Sequence, residues 1–148
     1  MSMDDAVRRV IYDVTMSTGS IPTIIEIART LGLGPDKVRV ALQGLADAHV
    51  LVLQRESGEV LMAPPFSAVP TPFIVRGSEL LAWGNCIWDA LGILAMVRSD
   101  GVVETACGCC GEAMTLSVEH GQLRKAGGAP VVHFAVPARQ WWDDMVFT

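Results

Sequence analysis

The chain has 148 residues, 51% of them hydrophobic, and a formal net charge of −5. That is enough apolar material for one compact domain or two small ones sharing a core, and the acidic balance argues against a dedicated nucleic-acid binder. No apolar run reaches the roughly 18 uninterrupted residues of a membrane span, and the acidic start Met1-Ser2-Met3-Asp4-Asp5 lacks an apolar signal region, so a cytoplasmic location is expected.

In chain order, Asp4 or Asp5 is expected to cap a first helix running to about Met16, with Val7, Val10, Ile11 and Val14 at helical spacing and Gly19 as its stop. Pro22 and Thr23 open a short second helix, Ile24 to Leu31, closed by Gly32. Gly34-Pro35-Asp36 starts a third, whose inward stripe is Val38, Ala41, Leu42 and Leu45. Residues 50–54 and 60–63 read as a hairpin turning at Glu56-Ser57-Gly58. Three helices and a hairpin in that order predict a winged helix-turn-helix over residues 1–70.

The prolines Pro64, Pro65, Pro70 and Pro72 mark a linker or extended edge. A second unit, residues 71–148, is expected to begin with a short strand at Phe73 to Val75. A helix from Ser78-Glu79 to near Arg98 then carries Trp83, Cys86 and Asp89. Strands follow at Val102 to Ala106, Met114 to Val118 and Pro130 to Val136, with a final short helix around Trp141-Trp142-Asp143-Asp144. The expected class is α+β: a winged-helix half, then a helix packed on a small, mostly antiparallel sheet.

Cys86 and Asp89 stand three residues apart, a spacing that places both side chains on one face of a helix, one turn apart. A thiolate is a soft nucleophile and metal ligand, and a carboxyl group in an apolar site keeps its proton to higher pH. Together they can grip a soft metal and deliver a proton beside it; the plain alternative is a buried cysteine next to a helix-start aspartate. Trp83 and Trp88 flank Cys86, either as core or as walls of a dry pocket, and His133 falls in the apolar stretch Val131-Val132-His133-Phe134, either as a hydrogen-bonded core histidine or as part of that pocket. The pocket expected for a small-molecule substrate is therefore Trp83, Trp88 and His133.

The other three of the four cysteines crowd into Cys107-Gly108-Cys109-Cys110, which suits reduced thiols or metal ligands better than a disulfide framework. Cys107 and Cys110 form a C-x-x-C before Gly111, the pattern of a zinc knuckle, but a structural zinc needs four ligands and no second C-x-x-C exists. Cys86, Cys109, His120 and His133 are the residues that could complete such a site. The putting of DNA on the third helix has thin support. It offers only Lys37, Arg39 and Gln43, and residues 1–70 hold eight acidic against six basic side chains.

The segments Leu81-Ala82-Trp83-Gly84-Asn85-Cys86-Ile87-Trp88-Asp89-Ala90-Leu91, Cys107 through Val118, and Val132-His133-Phe134-Ala135-Val136-Pro137 resemble the organomercurial (alkylmercury) lyase family. The resemblance implies a winged-helix-like domain joined to a sheet-containing catalytic domain, and protonolysis of a carbon–mercury bond to a hydrocarbon and Hg(II). It places Cys86 as the first catalytic cysteine and Asp89 as the catalytic aspartate, and gives Cys107 a structural role. The family's second catalytic cysteine is missing: its position falls near Ala129, and no cysteine follows Cys110.

Three functions are compatible with these residues. One is a lyase acting on a carbon–mercury bond, with Cys86, Cys109 and Cys110 as the metal-binding thiols. The second is a lyase or isomerase on the same scaffold with a non-mercury organic substrate. The third is a non-catalytic thiol protein that binds metal or regulates through its winged helix. No resident cofactor is expected beyond Hg(II) as product or ligand, or zinc at Cys107 and Cys110.

Overall fold

The structure, a computed structural model, describes residues 2–124 and 130–144. Helix α1 (Met3–Thr18) is capped by Ser2 rather than by Asp4 or Asp5. Asp5 instead closes the capping box. Its backbone N–H donates to Ser2 Oγ and its carboxylate accepts from the Ser2 N–H, both at 3.1 Å, so two otherwise orphaned donors are satisfied at once. Thr23 and Glu26 repeat the device at α2 (Ile24–Leu31), and α3 (Pro35–Asp47) begins with Pro35 in its first turn. The left-handed Gly19, at φ 77°, ends α1 where a Cβ would collide with the Leu81 carbonyl.

The hairpin follows as β1 (Val52–Leu53) and β2 (Val60–Ala63), joined by a third strand, β3 (Phe66–Ser67), in the order β1-β2-β3. The stripes Val7–Ile11, Ile24–Ile27–Ala28 and Val38–Ala41–Leu42–Leu45 close with Leu51, Val60 and Ala63 into one core.

A second sheet contains β4 (Ile74–Gly77), β5 (Leu81–Trp83), β6 (Gly101–Ala106), β7 (Ala113–Glu119) and β8 (Gln122–Leu123), ordered β5-β4-β6-β7-β8. Every pairing among the described residues is antiparallel. Helix α4 (Ile87–Val97) lays Ala90, Ile93 and Leu94 against Val75, Ala82, Val103 and Leu116 in a second core. Tyr12 and Ile21 pack on both cores.

Three expected elements differ. The helix expected from Ser78 begins only at Ile87, because Leu81–Trp83 pair with Ile74–Arg76 as an edge strand. Ser78 and Glu79 form the turn, closed by the Gly77 N–H on the Leu80 carbonyl at 2.8 Å. Trp83 therefore lies on a strand and Cys86 in the bend before the helix. Residues 130–136 form no strand despite their β-branched composition; β-propensity expresses itself only against a partner, and none of the described strands pairs with them. The final helix is a single 3-10 turn at Ala138–Gln140, with Trp141–Asp143 in turns beyond it.

Register decides what meets at the rim of this sheet. Trp83 pairs with Ile74, Ile74 with Glu104, and Glu104 with Thr115, in one row across four strands. Cys86 and Cys107 each follow that row by three residues, so their chains leave by the same end of the sheet. Two strand spacings, about 10 Å, separate β5 from β6.

Candidate functional site

Cys86 is extended, at φ −145° and ψ 179°, and occupies the N-cap of α4. Its Sγ accepts the backbone N–H of Asp89 at 3.4 Å, and its carbonyl accepts from the Ala90 N–H at 2.9 Å. The three-residue spacing thus brings thiol and aspartate together through a cap rather than through a shared helix face. Burial pushes the Cys86 thiol up, the amide of Asp89 opposes this, and the charge of Asp89 adds to it. A helix N-terminus ordinarily lowers a thiol pKa, but here desolvation wins.

Burial also raises the Asp89 carboxyl, opposed by the Asn85 side chain, whose Nδ2 donates to Asp89 Oδ2 at 3.1 Å. The Asn85 N–H is held by the Pro65 carbonyl at 3.3 Å. Asn85 Oδ1 is buried and has no partner among the described residues, so a donor on a bound molecule would find an acceptor there. From the other half of the chain, Tyr12 donates its hydroxyl to the Pro64 carbonyl at 2.8 Å. Burial raises the Tyr12 pKa, Arg8 lowers it, and the charge of Asp89 raises it.

Asn85 and Tyr12 are the site residues that sequence reading missed. Asn85 carried a weak signal, as an amide directly before a helix start. Tyr12 carried none, since 52 residues separate it from the carbonyl it binds.

The expected pocket residues are spread out. Trp83 is half-buried on β5, and Trp88, in the first turn of α4, is 60% exposed. Trp88 meets Phe134 edge-on at 6.2 Å, and Phe134 packs on Trp141 at 5.3 Å, which lays the C-terminal segment along the start of α4. His133, next to Phe134, is exposed rather than a core histidine. A cleft of about 920 Å³ lies elsewhere, between α3, the hairpin and Trp142; it contains no thiol.

The remaining thiols occupy the β6–β7 turn. The neighbouring backbone N–H groups of Cys110 and Cys109, then the Cys110 thiol, hold the Cys107 pKa below the ordinary thiol value. Cys109 and Cys110 are exposed, and all four cysteines are unbridged. Among the described residues no three His, Cys, Asp or Glu side chains converge as a metal-holding group, so the donor set of a structural zinc is not assembled by them. Ala129 lies outside the described residues.

Helices combined with antiparallel sheets, and a cysteine that caps a helix through the amide of a half-buried aspartate, define a thiol protein of mixed helix and sheet. The family model described as alkylmercury lyase matches residues 66–148, and the chain belongs to that family. Alkylmercury lyases of Bacillus cereus and Clostridium butyricum are each 31% identical over 106 residues, covering 70% of this chain and 45% of the relative. The chain thus spans about half the length of the curated relatives it matches. The crystal structure of the mercury-bound form of MerB2 shares the fold, with a TM-score of 0.63 at 18% identity over 82% of this chain and 58% of that one. Among the described residues no helix is long and apolar enough to cross a membrane.

Proposed function

We propose that the protein is an organomercurial lyase-like enzyme that cleaves a carbon–mercury bond by protonolysis, with Cys86 as thiol ligand and Asp89 as proton donor. The observation that carries this reading is the half-buried carboxyl of Asp89, which burial raises above its ordinary pKa, on the residue whose backbone N–H bonds to the sulfur of Cys86. In the first step the Cys86 sulfur bonds to the mercury of R–Hg–X, and the thiol proton leaves with X. A second sulfur, which gives up its proton to solvent as it bonds the mercury, then raises the electron density on the bound carbon. The carbon–mercury bond breaks with its electron pair on carbon, which takes the Asp89 proton and departs as R–H. Hg(II) stays on sulfur until small thiols remove it, and Asp89 is reprotonated from solvent.

The second sulfur is the part that the family resemblance leaves vacant at Ala129. The β6–β7 turn, at the same end of the sheet, is one source, and a small thiol from solution is another. Within the turn the exposed Cys109 and Cys110 are the candidates.

The raised Cys86 pKa favours mercury over an organic electrophile. Attack on carbon needs a thiolate already formed, whereas a soft cation displaces the proton as it binds. The regulator alternative is weakened by the three helices and hairpin, the winged-helix-like unit of residues 1–70. There Arg39 is tied to the Ser57 carbonyl at 2.9 Å and Gln43 to Asp47 at 2.8 Å, which occupies two of the three candidate DNA contacts. We therefore assign this unit a scaffolding role beside the catalytic unit of residues 71–148, with a small molecule as the partner.

Incubation of the protein with methylmercury and excess small thiol, with headspace methane measured by gas chromatography, tests the reading. Methane above the protein-free control supports it; none, from folded protein that still binds Hg(II), removes it.

A further inference from the structure

The β6–β7 turn holds a chemical feature that protonolysis does not use. Ala106 and Ala113 are the last paired residues of the hairpin. Beyond them the Cys107 N–H donates to the Glu112 carbonyl, and the Gly111 N–H to the Cys107 carbonyl, both at 2.8 Å. Gly111, at φ 75°, permits the closure. This frame closes the four residues from Cys107 to Cys110 into one tight turn, which brings Cys110 back toward Cys107.

We propose that Cys107 and Cys110 form a second soft-metal site, a two-coordinate dithiolate that binds Hg(II). The C-x-x-C spacing lies on a loop fixed by backbone hydrogen bonds, so little ordering is needed to bring both sulfurs onto one cation. A tetrahedral zinc needs four donors, and the described residues bring no third His, Cys, Asp or Glu to this pair. Soft d10 cations that accept two collinear thiolates suit the pair instead.

Uptake is a thiol exchange without change of oxidation state. A bis-monothiol complex of Hg(II) meets the two cysteines; two sulfur–mercury bonds to Cys107 and Cys110 form, two to the monothiols break, and both monothiols leave with the cysteine protons. Because the second bond is intramolecular, the pair outcompetes free monothiol by an effective-concentration advantage. The site's location, at the end of the sheet where Cys86 lies, suits it to capture product cation leaving Cys86. That use rests on the lyase reading; the site itself does not.

The test is retention of Hg(II) by anaerobic, fully reduced protein in excess glutathione, read by native mass spectrometry and by sulfur-to-mercury charge-transfer absorbance. Cys86→Ser protein is expected to keep one Hg(II) per chain. Adding Cys110→Ser should weaken retention by about 100-fold or more, and adding Cys109→Ser should leave it unchanged. The replaced Cys109 and Cys110 side chains are exposed, so these variants keep the fold. No retention by the Cys86→Ser protein, or equal retention after Cys110→Ser, overturns the site. Methane release by the unsubstituted protein is scored separately, so failure of the lyase reading leaves the retention result standing.

Discussion

The backbone N–H of Asp89 donates to the sulfur of Cys86. One bond therefore joins the group that would receive the metal to the residue that would supply the proton, and the same bond caps a helix. A thiol is a weaker acceptor than the hydroxyl usually found at an N-cap. The sequence thus accepts a poorer cap where a soft ligand is wanted.

That trade is measurable. Cys86→Ser should abolish methane release from methylmercury while holding or raising the thermal midpoint, because serine caps better. Cys86→Ala should abolish release and also lower stability, by about 0.5–1 kcal/mol, the low end for a lost cap. Paired turnover and thermal unfolding measurements on the two variants check both halves; a serine variant less stable than the alanine one would contradict the capping role.

Asp89 has a pH signature with a definite sign. Its carboxyl is raised above the ordinary value of 3.8 by burial, so the donor is present at low pH and turnover falls as pH rises through the raised value. The same group contributes stability that is full below 3.8 and lost as pH rises through its folded pKa. Asp89→Asn should flatten the stability profile over that window, retain Hg(II) binding and lose protonolysis. Asn85→Ala removes the hydrogen bond that favours the charged carboxylate, so the falling limb of the turnover profile should move to higher pH. A limb that stays put, or moves down, would show that another group titrates.

Gly84 joins β5 to the bend that carries Cys86, its N–H held by the Phe73 carbonyl and its carbonyl by the Thr71 hydroxyl. A Cβ there would lie 2.6 Å from the Ala90 nitrogen and 2.8 Å from its Cα and Cβ, against helix backbone that cannot yield without moving α4. Gly84→Ala should cost about 1–3 kcal/mol, as overpacking in a closed core does. Mercury binding should weaken along with stability, since the start of α4 is what shifts. Chemical denaturation and Hg(II) titration of one preparation test this; a loss of stability with unchanged mercury affinity would place the strain elsewhere.

Tyr12→Phe leaves the ring in place and deletes only the bond to the Pro64 carbonyl. The expected cost is about 1 kcal/mol, from a partly buried carbonyl left without its donor. Circular dichroism during urea unfolding would show it as a lower midpoint at unchanged slope.

The first half of the fold was legible because its signals are local. Thr23-x-x-Glu26, Gly19, Gly32 and Pro35 each act within one turn of the position they mark. Strands β6 and β7 were legible from their β-branched runs. The start of α4 was not, because Leu81-Ala82-Trp83 suits a helix or a strand equally, and only pairing with β4 decides it. Residues 130–136 misled in the opposite direction: Val131-Val132-His133-Phe134 has strand composition, but its contacts run through Phe134 to Trp88 and Trp141. The proximity of Cys86 to Asp89 was foreseen for a geometric reason that does not apply. Three residues separate an N-cap from the third helical position just as they separate neighbours on a helix face. Asn85 was passed over because its bond to Asp89 exists only once Cys86 is a cap, and Tyr12 because its partners are remote in the chain.

Recognisable family likeness and the ability to fold alone have different borders in this chain. The family match begins at Phe66, the residue where the second core also begins. Yet Tyr12, Met16 and Ile21 pack on that core from the first quarter of the chain. A fragment excised at Phe66 would keep the five-stranded sheet, α4 and every thiol, while baring the apolar surface those three residues cover. Such a fragment would be sticky rather than autonomous, and would be expected to recover its monodispersity when the first 65 residues are supplied in trans.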